Sequence, residues 1–190
     1  MNTISTNHSV SQQFNSDAHQ PACENFFAQP YSLDAKGFYF TDLDDYEAKA
    51  AALKDRYGNP VEEFELMYID GDGNALFNAC GINQANLSIW FDEVAILDDH
   101  EKAALFYLVS VTGYSLNDAL DKIDEVALYS GSLEDAAQEL FDECYAHSIL
   151  ENLRNYIDYA AFARDCDQGG DMTEFKYGGE TFTCTNASGV

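Results

Sequence analysis

Positive charge is what this sequence has least of. Lys and Arg together number 9 in 190 residues, against 34 Asp and Glu, for a formal charge of -25 at pH 7. Residues 57–101 and 123–153 contain no Lys or Arg at all. Such a balance repels anionic phospholipid and nucleic acid, so it argues against direct binding to either and makes a basic partner the natural complement. Proline is scarce, with 3 residues, and no apolar run approaches the ~18–20 residues that span a bilayer. Residues 1–16 are polar, without the basic and apolar regions of a signal peptide, so a cytoplasmic location is expected. The five cysteines, Cys23, Cys80, Cys144, Cys166 and Cys184, are odd in number and scattered, with no C-x-x-C pair and no histidine at metal-ligand spacing. They read as reduced, mostly buried thiols.

Catalytic signatures are missing as well. There is no G-x-x-x-x-G-K-[ST], G-x-G-x-x-G, G-x-S-x-G or H-E-x-x-H, and His8, His19, His100 and His147 stand far apart. Carboxylates are so many that an acid/base pair drawn from them carries no information. No enzyme activity, cofactor or metal is expected. What the chain does have is 46% hydrophobic residues, with 13 Phe, 12 Tyr and the single Trp90, enough large apolar side chains to fold despite its charge.

The pattern along the chain predicts an α+β protein, an elongated row of three small domains with a strongly acidic surface. Residues 1–28, rich in Ser, Asn, Gln and His, read as a flexible tail. A small α/β domain (29–72) opens with a strand at Gly37, Phe38, Tyr39 and Phe40. A helix over 43–57 follows, capped by Thr41 or Asp42 and ended by Gly58 and Pro60, and then a strand through Phe64, Leu66 and Tyr68. A helical domain (73–113) carries Leu87, Trp90, Phe91 and Val94 at helical spacing, and then Leu105, Leu108 and Val109 on a helix begun near Asp98. In an α+β domain (114–190), Ser115 with Asp118 and Ser132 with Asp135 form relaxed capping boxes for helices near 116–124 and 133–147. A short strand at 126–129, a helix over 158–166 and a hairpin turning at Gly178 and Gly179 complete it.

Two local patterns invite a site and do not support one. Asp70, Asp72 and Asn74 open like a calcium loop, but Ala75 stands where the loop needs Gly and Gly81 where it needs Glu, so a Gly-rich turn is expected. Phe106, Tyr107, Tyr114, Tyr129, Phe141 and Tyr145 have helical spacing, yet base-stacking platforms come with Lys and Arg, so these aromatics are assigned to the core.

The carboxylates remain. Ordinarily they would be a solvated face that keeps the protein soluble. On the helix over 133–147, however, Glu134/Asp135, Glu139 and Asp142/Glu143 recur about every four residues, an advance of ~6 Å. Two charges per ~6 Å matches the one per ≈ 3.4 Å of a single DNA strand. A ribbon of fixed carboxylates of this kind suits a partner built to bind phosphates. Counted with it are Glu62, Glu63, Glu65, Asp70, Asp72, Asp92, Glu93, Asp98, Asp99 and Glu101 of the first uncompensated stretch, with Asp118, Asp121, Asp124 and Glu125. The competing readings are an acidic, non-enzymatic protein with another basic partner, either a calcium-binding or chaperone-like module or a housekeeping protein of a salt-rich cytoplasm.

The segments GFYFTDLDDYEAKA (37–50), GNPVEEFE (58–65), IDG (69–71), GINQ (81–84), GYSL (113–116), IDEVALYSG (123–131) and NYIDYAAFARD (155–165) together resemble the ArdA antirestriction family over roughly residues 30–184. The resemblance implies an acidic, elongated DNA mimic encoded on mobile elements. It would inhibit type I restriction-modification enzymes by occupying their DNA-binding groove, meeting the specificity and methyltransferase subunits. It implies a homodimer, each protomer a row of three small domains, and assigns the antirestriction motif to the stretch around 123–145. The acidic residues carried over from that motif are Asp124, Glu125, Glu134, Asp135, Glu139, Asp142 and Glu143. Family members begin with a strand and an aromatic, Gly-rich segment, a pattern not evident in residues 1–28, which points to a shortened or rebuilt first domain. Acidic residues before Glu62 are left out of the binding set for that reason.

Overall fold

A computed structural model describes residues 24–190. The chain opens on β1 (Asn25–Pro30), where Phe26, Ala28 and Pro30 are buried and the residues between them are not, the period-2 alternation of a strand with one covered face. It pairs antiparallel on both sides, with β2 (Phe38–Phe40) and, further along, with β3, so it is the central strand of its sheet. Residues 25–28 are thus not tail: an aromatic strand stands there, and regular structure begins earlier than the sequence suggested. The remainder of the expected tail, residues 1–23, lies outside the described residues.

Helix α1 (Leu43–Ala52) starts at Asp42, whose carboxylate accepts from the Asp45 amide at 2.8 Å. It stops five residues short of the expected end. Leu53 turns extended and Lys54 bridges Pro60, because the Asp55 carboxylate accepts from the amides of Tyr57 and Asn59 and from the Asn59 side chain, fixing a loop where a helix would run on. Those bonds hold the Asp55 carboxyl below the usual range.

Strand β3 (Phe64–Asp70) faces Phe64 and Tyr68 inward, and pairs Phe64 with Pro30 and Tyr68 with Phe26. The turn after it leads into α2 (Asn74–Ala79) and α3 (Leu87–Ile89), the latter continuing as a π-helical turn over Trp90–Val94. Helix α4 (Asp99–Phe106) is started by a capping box, Asp98 with Glu101, and also widens into a π-helical stretch, Tyr107–Thr112. These helices cover the sheet through packed aromatics: the Phe26 ring of β1 lies 5.3 Å from that of Phe91, edge to face, and 5.6 Å from that of Phe77.

Helix α5 (Leu116–Lys122) and a 3-10 turn, Ile123–Glu125, lead to β4 (Leu128–Ser130), two residues later than predicted. Helices α6 (Leu133–Cys144), α7 (Glu151–Arg154) and α8 (Tyr159–Gly169) follow, then the hairpin of β5 (Thr173–Tyr177) and β6 (Glu180–Cys184). Gly178 and Gly179 both take positive φ, 59° and 84°, the requirement of a two-residue turn whose twist matches the strands. The order of the second antiparallel sheet is β4-β6-β5.

That second sheet separates two cores. Leu128, Phe175, Phe182 and Cys184 face the larger one, which also gathers Phe26, Phe77, Trp90, Leu105 and Tyr107, with Tyr107 5.2 Å from Phe175. Tyr129, on the other face, packs with Leu133 and Leu140 against the smaller core of Ala136, Ala137, Ala163, Cys166 and Met172. Thr183, fully buried between, donates its hydroxyl to the Gly131 carbonyl. Among the described cysteines Cys80, Cys166 and Cys184 are buried and Cys144 is exposed, all free thiols. No described helix is long and apolar enough to cross a membrane.

Candidate partner-binding surface

Helix α6 has the most regular array of charge. Ser132 caps it, accepting from the Asp135 amide at 3.2 Å and donating to the Asp135 carboxylate at 2.6 Å, so the first acidic side chain of the helix is held in place by its own start signal. Ala136 and Ala137 are buried, with Leu133 and Leu140 packed beside them against α8. At 3.6 residues per turn this seating turns Glu134, Asp135, Glu139 and Asp142 to the opposite half of the helix and leaves Glu143 at the margin of the seated face, and all five are exposed. With Tyr129 and Gln138, four of them line an open groove of about 560 Å³. Asp142 accepts from the Tyr159 hydroxyl of α8 at 2.9 Å, a bond that raises the tyrosine's pKa and braces the carboxylate.

The other sequence-predicted carboxylates are placed as follows. Glu62, Glu63, Glu65 and Asp70 are exposed along and beside β3; Asp72 is exposed in the turn after it; Asp92 and Glu93 are exposed on the π-helical turn. Asp98 and Asp99 are exposed at the start of α4, whereas Glu101 is half-buried and already accepts from the Asp98 amide, so its carboxylate is partly spent within the fold. Asp118 and Asp121 lie exposed on α5, Asp118 accepting from the Ser115 hydroxyl at 2.6 Å. Asp124 and Glu125 are exposed on the turn that follows.

Neutralisation is nearly absent in this set. Only Glu125 forms an ion pair among the described residues, with Lys122 Nζ at 3.0 Å, and that contact raises the lysine's pKa. The remaining two ion pairs, Lys49 with Asp45 and Arg56 with Asp34, lie outside it. An exposed cluster of like charges without counter-charges costs folding free energy through self-repulsion and gains most from a partner that supplies them.

The sequence reading passed over some acidic residues. Asp42, Asp44 and Glu47 are exposed on or before α1, as are Asp165 and Asp167 on α8 and Asp171 just beyond it. The same lack of nearby Lys and Arg marks part of this set, but the mistaken tail boundary had removed the α1 group from consideration. Glu174 is exposed on β5, where its carboxylate accepts from the Leu133 amide at 2.8 Å and ties the sheet to the start of α6. That long-range tie has no signal in sequence.

The chain is a mixed α+β protein with a carboxylate-lined helix. The antirestriction protein (ArdA) family matches residues 3–181, and the chain belongs to that family. No curated protein matches the chain.

Proposed function

We propose that this protein inhibits type I restriction-modification enzymes as a mimic of duplex DNA, lying in the groove that would hold the substrate. The observation that carries the reading is the unneutralised ladder on α6, where five carboxylates between Glu134 and Glu143 recur along the axis at about the spacing of the phosphates of one strand. Lys and Arg lining the DNA path of the specificity and methyltransferase subunits would pair with these side chains in place of phosphates. The carboxylates of β3, α4 and α5 would extend the ladder beyond α6. No bond is made or broken, and because inhibitor and duplex would exclude each other from one groove, the inhibition is competitive.

The test is displacement of a fluorescent duplex bearing the recognition site from a purified type I enzyme, at two salt concentrations. Near-stoichiometric displacement that weakens as salt rises is expected, because many modest, screened charge pairs supply the affinity. Retention of the duplex at large excess of inhibitor would overturn the proposal.

A homodimer fits the same reading. Tyr145, Leu150, Leu153 and Tyr156 are exposed by 51%, 69%, 49% and 84% within one short segment, an apolar strip that a second copy would cover. Leu153→Asp combined with Tyr156→Asp is expected to sediment as a protomer where the parent sediments as a dimer. Equal sedimentation of the two would place the dimer contact elsewhere.

A further inference from the structure

Among the described residues, three carboxylates of the candidate surface are held by hydroxyl groups: Asp118 by Ser115, Asp135 by Ser132 and Asp142 by Tyr159. A hydroxyl fixes the direction of a carboxylate and leaves its charge in place, whereas a lysine or arginine would fix it and cancel the charge. Ser115 and Ser132 also accept from the amides of Asp118 and Asp135, so at those two positions the brace is inseparable from the helix cap. Tyr159 is different. It stands on α8, 17 residues from Asp142 in the sequence, and its hydroxyl caps neither helix.

Packing places the tyrosine ring. Phe141, next to Asp142 on α6, meets Tyr159 edge to face at 5.6 Å and Phe162 edge to face at 5.2 Å, and its ring lies 5.5 Å from that of Tyr145. The phenol then donates to Asp142 Oδ1 at 2.9 Å and leaves Oδ2 for a partner. Asp142 has need of such a hold. It is exposed, it follows Glu139 by three residues and adjoins Glu143, and no described cation pairs with it. Like charges at that helical spacing repel, and an unbraced side chain there would spread over several rotamers. The bond, loss of water and the charge of Asp142 raise the phenol's pKa above its ordinary 10.0, against an opposing pull from Arg154, so Tyr159 remains a donor at neutral pH.

We propose that Tyr159 is a positioning residue of the partner-binding surface: its hydroxyl holds Asp142 in the direction in which a guanidinium or ammonium group of the restriction enzyme meets it. The inference rests on the DNA-mimic reading and adds that direction is matched at this point as well as charge. Duplex phosphates are oriented by their own backbone; a carboxylate on a flexible side chain has to be oriented by a neighbour. A side chain ordered before binding has less freedom to lose when the cation docks.

Tyr159→Phe removes the hydroxyl and keeps the ring against Phe141, so its circular dichroism should match the parent's. Two measurements test the role. In the free inhibitor labelled with carbon-13 at tyrosine Cζ, the Tyr159 resonance should titrate above 10.0 and move down toward that value in Asp142→Ala. In displacement of duplex from a type I enzyme, Tyr159→Phe should weaken inhibition about threefold. Asp142→Glu, which keeps the charge and moves it by one methylene, should weaken it by a similar factor. Within an Asp142→Ala background Tyr159→Phe should cost nothing more, whereas a tyrosine that only supports the fold would cost as much there as in the parent. A Tyr159 titration indifferent to Asp142→Ala would overturn the proposal and leave the mimic reading intact. So would equal inhibition by the parent and Tyr159→Phe, or the same loss in both backgrounds. A parent that fails to displace the duplex at all would overturn both.

Discussion

Tyr177, Tyr107 and Cys80 hold protons that the folded chain is slow to release in alkali. Burial raises all three, Tyr177 and Tyr107 from 10.0 to about 12 and Cys80 from 9.0 to about 12, with Cys184 adding to the shift at Tyr107. In the unfolded chain these groups ionise near their ordinary values, so above about pH 9 the unfolded state sheds protons that the folded state keeps. Their contribution to stability is complete below that pH and is lost as pH rises toward 12. The urea midpoint should fall between pH 9 and pH 11 at fixed ionic strength, and Tyr177→Phe should reduce the fall. A midpoint flat across that interval would show these groups ionising alike in both states. Neither tyrosine could have been singled out from sequence, because the chain holds 12 of them and only packing decides which lose water.

Among the elements, α6 is the one whose two faces separate most cleanly. Glu139→Lys, Asp142→Lys and Glu143→Lys together replace three exposed carboxylates without touching Ala136, Ala137, Leu133 or Leu140 beneath. The triple variant should keep its helical circular dichroism and lose at least about tenfold in displacement of duplex from a type I enzyme, whereas any single Asn or Gln replacement should cost less than ~1 kcal/mol. Full inhibition by a folded triple variant would remove this face from the binding surface. α6 was legible in advance because Ser132 and Asp135 mark its start and its apolar residues repeat at helical spacing; the β5–β6 hairpin was legible because Gly178 and Gly179 allow little else. β1 was not. Its inward residues are Phe26, Ala28 and Pro30 and its outward ones include Phe27, so apolar residues fall on both faces and the alternation disappears, while pairing with β2 and β3, which holds it, is set by distant sequence. The end of α1 was hidden similarly, since it depends on where the Asp55 side chain finds its donors. Exposure of the candidate carboxylates was easier to foresee: an ionised group without a partner is too costly to bury.

For the molecule as a whole, a charge of -25 implies that electrolyte stabilises the fold. Raising salt from about 0.01 M to about 0.1 M shortens the screening length from ~30 Å to ~10 Å, which quenches repulsion between elements while leaving the packed cores untouched. The urea midpoint should therefore rise over that range with an unchanged slope, and a midpoint that falls would mean that the few ion pairs outweigh the repulsion. Screening also opposes the partner, so stability and inhibition should respond to salt with opposite sign.

The position of β6 has a consequence for how the protein is made. It is the central strand of its sheet, with β4 and β5 on either side, and it is synthesised after both of them. Chains emerge from the ribosome amino end first, at ~5–20 residues per second. For some seconds the nascent chain displays α6 and its acidic face with no finished sheet behind them. A premature stop before residue 180 leaves the second sheet without its central strand, so such fragments should be cleared by proteases rather than persist as weak inhibitors.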